Sequence, residues 1–291
     1  MSRTATTGSP ATRSRPGLVT RVAVVMIATY AIWQVMWWVS VTLFDPDKMT
    51  VASRFVNALV VSVLVVPFVI TARRYLDRRP WSGLRLTGFG EGWKPFLVGA
   101  VSWLMPAAVG LAVALALGWV EITLLVPATE TVAFVVMLVV AVFLFEALPE
   151  ELIFRGYLYR NLAAAMAPWL AVTTQALLFT IFGTLLWVMA EGWSVLLEQA
   201  SIFGVMAVVI GCVRVITDNL WSCVGLHLAF QVVAQFLLGT EGDLVTVEGV
   251  DVLTLVSFAA AFAFAAVVAS RLTPGEANWR TPEPDPVSST R

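Results

Sequence analysis

The chain has 291 residues, of which 59% are hydrophobic and 13% charged, with a formal net charge of −1. Soluble domains run at roughly 45–50% apolar and about 25% charged, so a soluble globular fold is excluded. The near-zero net charge is the sum of basic and acidic stretches and supports no nucleic-acid reading.

Residues 1–17, rich in Ser, Thr, Pro and Arg, read as a disordered tail. Apolar stretches long enough to cross a hydrocarbon core, about 20 residues each, then recur along the chain. They lie near 18–44, 51–72, 95–118, 131–148, 169–190, 195–216, 220–239 and 252–270. Backbone groups in lipid must be satisfied within their own segment, so the expected fold is all-α. It is a polytopic membrane protein of about eight transmembrane helices, over 18–271. The first run is too long for the apolar part of a cleaved signal and reads as a retained helix. Residues 272–291, rich in Pro and acidic residues, read as a second disordered tail.

Connections alternate in charge. Arg3, Arg13, Arg15 and Arg21 open the chain, and Arg73, Arg74, Arg78, Arg79, Arg85 and Lys94 follow the second span. Arg155 and Arg160 follow the fourth, Arg214 ends the sixth, and Arg271, Arg280 and Arg291 follow the eighth. The other connections carry Asp45, Asp47, Glu121, Glu191, Glu241, Asp243, Glu248 and Asp251, with Lys48 and Arg54 against the pattern. The positive-inside rule puts both termini in the cytoplasm of what reads as a bacterial cell membrane. The two cysteines, Cys212 and Cys223, suggest neither a disulfide nor a zinc knuckle.

Ionisable groups within membrane segments are costly and mark candidate sites. The densest run is Glu146-Ala-Leu-Pro-Glu150-Glu151-Leu-Ile-Phe-Arg155 at the end of the predicted fourth span. Helical spacing puts Glu151 and Arg155 on one face as an ion pair. Glu150 is turned about 100° away and left to act as a general base on water. The alternative is a cluster that only marks a helix end at the interface. The sole histidine, His227, lies two turns into the seventh span, with Gln231 one turn further on the same face. Imidazole suits a metal ligand or proton carrier, and Gln231 suits an oxyanion donor; a packing histidine is the alternative.

The run Glu150-Glu151-Leu-Ile-Phe154-Arg155-Gly156-Tyr-Leu resembles the first motif, EExxFRGxL, of the CAAX protease and bacteriocin-processing family of intramembrane proteases. Asn219-Leu-Trp221 followed by His227-Leu-Ala-Phe-Gln231 resembles its third motif, usually HxxxN. The likeness covers about 131–239. It implies an eight-helix fold whose catalytic cavity opens to the cytoplasm and whose substrate is a membrane-associated peptide or protein. It also implies Glu150 as base, Glu151 and Arg155 as its supporting pair, His227 as a metal ligand or water-holder, and Gln231 as oxyanion donor, with a zinc, if one is bound, on Glu150 and His227. The second motif, FxxxH, departs: Phe179-Thr-Ile-Phe-Gly183 puts glycine where the histidine belongs. A zinc site would then lack the usual three protein ligands. Gly183 reads instead as a close helix contact or as room for Trp187. Two functions follow, an endopeptidase with a reduced site and a pseudoprotease acting as a membrane scaffold or binding protein.

Overall fold

A computed structural model describes residues 15–45, 48, 50–239 and 244–286. Among the described residues eight helices long and apolar enough to cross a membrane follow one another: α1 (Leu18–Leu43), α2 (Val51–Asp77), α3 (Trp81–Ala116), α4 (Ala128–Ala163), α5 (Pro168–Glu191), α6 (Trp193–Thr217), α7 (Leu220–Leu237) and α8 (Val250–Leu272). The chain is an all-α polytopic membrane protein. Eight passes return it to its starting end, called here the terminal face. At the opposite face a two-stranded antiparallel sheet pairs β1 (Glu121–Leu124) with β2 (Val245–Glu248), Glu121 opposite Glu248. Arg3, Arg13, Asp47, Glu241, Asp243, Arg291 and the tail over 1–14 lie outside the described residues.

Expected boundaries move, and α3 begins at Trp81 and not near 95. The fourth span does not stop at 148 but continues to Ala163, so the Glu150-Glu151 run lies inside the bundle and not at a helix end. Pro149 reads as a breaker because it lacks an N–H. Here a π-helical turn over Phe143–Ala147 absorbs it, with Leu148 N–H bonded to Phe143 O. The carbonyl of Leu144, which the proline cannot serve in that register, accepts the Ser62 hydroxyl of α2. A second π-helical stretch, Leu152–Leu158, follows. Such turns reorient side chains and recur at functional positions.

The second tail differs as well. Over 273–286 it runs back across the terminal face and is pinned there. Glu283 N–H donates to Ala163 O at 2.8 Å, and Arg160 Nη1 donates to Glu283 Oε2 at 2.9 Å. Arg73 holds both oxygens of Asp285, at 2.9 and 2.6 Å. Arg73 also meets Asp77, which accepts from Tyr157 Oη at 2.6 Å and Asn161 Nδ2 at 2.8 Å. The proline and acid content that suggested disorder is the counter-charge for buried arginines, which could not stay buried unpaired. The segment 287–291 lies outside the described residues.

Close packing seats the helix that carries His227. A Cβ at Gly99 of α3 would collide with the Ser222 carbonyl of α7, and one at Gly225 of α7 with the Phe96 carbonyl of α3. The two glycines let the backbones approach, as small residues do in membrane bundles. Trp103, fully buried, packs edge-on against Phe230, Phe258 and Phe262 and ties α3 to α7 and α8. Gly225→Ala is expected to cost about 1–3 kcal/mol through overpacking against backbone. Thermal unfolding in detergent checks this against Gly90→Ala, where nothing lies within 4 Å of the new methyl.

Candidate active site

Four of the five sequence-predicted residues come together midway along α4 and α7. Glu151 is fully buried, and its Oε1 accepts from Arg155 Nη1 at 2.9 Å, the i,i+4 pair expected from spacing. Arg155 is also fully buried, not set at an interface. Its Nη2 donates to Ala207 O at 3.2 Å, and its guanidinium lies 4.7 Å from the centroid of the Phe179 ring. Phe179, the phenylalanine of the departing second motif, thus keeps a partner although its histidine is gone.

His227 is buried, and its Nδ1 lies 2.7 Å from Glu151 Oε1. In the neutral imidazole this bond places the proton on Nδ1 and leaves a lone pair on Nε2. Nε2 makes no hydrogen bond, and neither does the buried Glu151 Oε2. Across from Nε2, at 4.0 Å, stands Oε2 of Glu150, whose side chain is 13% exposed. One water oxygen at about 2.8 Å from each atom spans such a gap. Glu151 and Arg155 hold the imidazole, and Glu150 faces it.

Gln231, the fifth residue, sits one turn further along α7 and bonds elsewhere. Its Nε2 donates to Glu146 Oε2, while Gln235 Nε2 donates to Glu146 Oε1 at 2.8 Å. Arg54, in the first turn of α2, donates to Gln235 Oε1 at 3.1 Å. Glu146, which opens the polar run, and Arg54, which stands against the charge pattern, were given no site role by sequence, and Gln235 was not noted at all. The signal for two of them was there: Glu146 lies four residues before Glu150, and Gln235 four after Gln231.

At Gly183, where the second motif has its histidine, a neighbouring helix comes close. A Cβ there would stand 3.0 Å from three atoms of the Phe203 ring on α6, while Trp187 points outward at 45% exposure. The glycine serves a close helix contact and not room for Trp187. Gly183→Ala is expected to cost about 1 kcal/mol or more. Pairing it with Phe203→Leu should recover most of the loss, read as the melting temperature of the purified chain.

The donors do not fit a zinc ion held by three protein ligands. Glu150 and His227 Nε2 supply two; Gly183 supplies nothing, and Glu151, bonded through Oε1 to Nδ1, stands at the other edge of the imidazole from Nε2. Among the described residues no group of three or more His, Cys, Asp or Glu could hold a metal. Nor does either of two cavities near the terminal face, about 470 and 400 Å³, touch the site. The first is lined by residues such as Ile216, Ser270 and Trp279, the second by Trp81, Arg85, Asp218 and Asn219.

A buried carboxylate–imidazole pair braced by arginine thus faces a second carboxylate inside the membrane bundle. Residues 131–233 match the family described as type II CAAX prenyl endopeptidase Rce1-like. The matched stretch contains all five predicted residues, and it bears out the resemblance to the CAAX protease and bacteriocin-processing family. No curated protein and no solved structure matches the chain.

Proposed function

We propose that this protein is an intramembrane endopeptidase that hydrolyses peptide bonds with water activated by Glu150. The observation that carries the reading is the 4.0 Å gap between Glu150 Oε2 and the unpartnered Nε2 of His227. A water there donates one hydrogen to Glu150 and is oriented by Nε2. As its oxygen attacks the scissile carbonyl carbon, Glu150 takes the proton and later passes it to the leaving amine as the C–N bond breaks. Gln231 Nε2 has a second N–H beyond the one given to Glu146, and it serves as donor to the oxyanion. The substrate class is a membrane-associated peptide or protein, in a bacterial cell membrane with both termini cytoplasmic, an orientation supported by the basic terminal face.

The missing third ligand at Gly183 favours a second reading, a pseudoprotease that keeps the Glu-Glu-Arg network as a membrane scaffold or binding protein. New protein amino termini in membranes of cells expressing the wild type, compared with Glu150→Gln, separate the two. The endopeptidase reading expects cleavage products confined to the wild type. Identical sets of termini contradict it and leave the scaffold.

A further inference from the structure

The arginines of the terminal face line an anion pocket that the chain fills with its own carboxylate. α2 ends in a π-helical turn over Ala72–Asp77, after which Arg78 takes a left-handed conformation at φ 54°. The reversal brings the Pro80 carbonyl onto Arg73 Nε at 3.0 Å and leaves the other edge of the guanidinium to the two oxygens of Asp285. Arg160, at the end of α4, adds Nε at 3.5 Å from Asp285 Oδ1, and Arg15, just before α1, adds Nη1 at 4.0 Å from Oδ2. Gly83 makes the room: a Cβ there would stand 2.1 Å from Arg73 Nη2 and 2.7 Å from Asp285 Oδ1. Asp285 is buried although Pro284 and Pro286 on either side of it are exposed, so the segment enters the face at that one side chain.

The occupant does not use all that the pocket offers. Arg15, Arg21, Arg73 and Arg160 stand around Asp77, Glu283 and Asp285, and residues 1–14 and 287–291 contain no Asp or Glu. Burial, then the neighbouring guanidinium groups of Arg21 and Arg79, lower the Arg15 pKa. Among the described residues Arg15 Nη1, Arg79 Nε and Arg160 Nε are buried and make no hydrogen bond. A flat carboxylate has two oxygens, and Arg73 takes both; a phosphate directs its oxygens tetrahedrally and reaches more arginine donors at once. The pocket lies where α1, α2 and α4 end, the level of lipid headgroups. Beside it Val19 and Tyr75 face outward at 82% and 64% exposure, a surface for an acyl chain. Basic pockets between helix ends are where anionic headgroups bind. We propose that this pocket binds the phosphate headgroup of an anionic phospholipid, and that Asp285 is a tethered competitor which the lipid displaces. The inference is independent of any proteolysis.

The test uses the full chain in nanodiscs, with Cys212 and Cys223 replaced by Ala and a nitroxide on Thr281→Cys, an exposed position of the segment. In phosphatidylcholine the label should be held and its spectrum slow. Adding phosphatidylglycerol should raise the mobile fraction about threefold or more, as mass action requires of a competing ligand. Arg15→Gln leaves Arg73 and Arg160 on Asp285, so it should keep the slow spectrum in phosphatidylcholine and lose most of the response. Asp285→Asn should give the mobile spectrum in phosphatidylcholine alone, and in native mass spectrometry it should retain phosphatidylglycerol in preference to phosphatidylcholine. Equal spectra in the two lipids overturn the proposal. So does a full response in Arg15→Gln, or release of the segment by inorganic phosphate without anionic lipid, which would make the pocket a site for soluble anions.

Discussion

Arg155→Ala should lower stability by about 3–5 kcal/mol, the cost of removing one partner from a buried ion pair. Neither member of the pair has access to solvent, both standing at 0% exposure. Loss of the guanidinium leaves Glu151 with only the His227 imidazole, frees the Ala207 carbonyl of one donor, and empties the space over the Phe179 ring. Arg155→Lys should recover only part of the loss, because an ammonium cannot reproduce the fork that reaches both Glu151 and Ala207. Denaturation in mild detergent reads the effect. A wild-type melting temperature for Arg155→Ala would mean that the pair does not brace α4.

His227→Ala should reduce turnover by about 10²–10⁴, the range for losing a positioned acid–base group. Among the described residues the imidazole links the braced Glu151 to the proposed water position facing Glu150, so its loss removes the orienting lone pair and leaves Glu151 short of a donor. Some destabilisation accompanies this, which is why single-turnover rates belong on protein that retains its oligomeric profile and circular dichroism. An unchanged rate in folded His227→Ala would remove the imidazole from the mechanism.

Hydropathy made the eight helices legible because lipid leaves so few alternatives for the backbone. The Glu151–Arg155 pair was legible too, since i,i+4 spacing survives the local change of helical pitch. The nearness of Glu150 to His227 was not in the spacing. It depends on α4 and α7 bringing the two residues to one depth in the bundle, to which the family resemblance pointed. The extension of α4 to Ala163 was hidden by Pro149, whose cost falls on a π-helical turn and on Ser62 from another helix. The pinned segment over 273–286 was hidden for a different reason. Its acidic residues look like solvated charges until the buried arginines on distant helices are placed against them.

Gln231 shows the limit of carrying roles across by motif. Its position matches the third motif, yet its amide is held by Glu146, a residue that the motif does not include. The proposed role as oxyanion donor rests on the second N–H alone. Glu146→Gln should therefore disturb Gln231 before it disturbs the brace formed by Glu151, Arg155 and His227.

The most direct test of the water-activating site is to reconstitute the wild type and Glu150→Gln side by side in liposomes and measure cleavage of a peptide whose new terminus appears only in wild-type membranes. The substitution keeps the shape of the side chain and removes its capacity to accept a proton. The account predicts a loss of about 10²–10⁴ in rate with an unchanged melting temperature. Equal rates for the two proteins would contradict it.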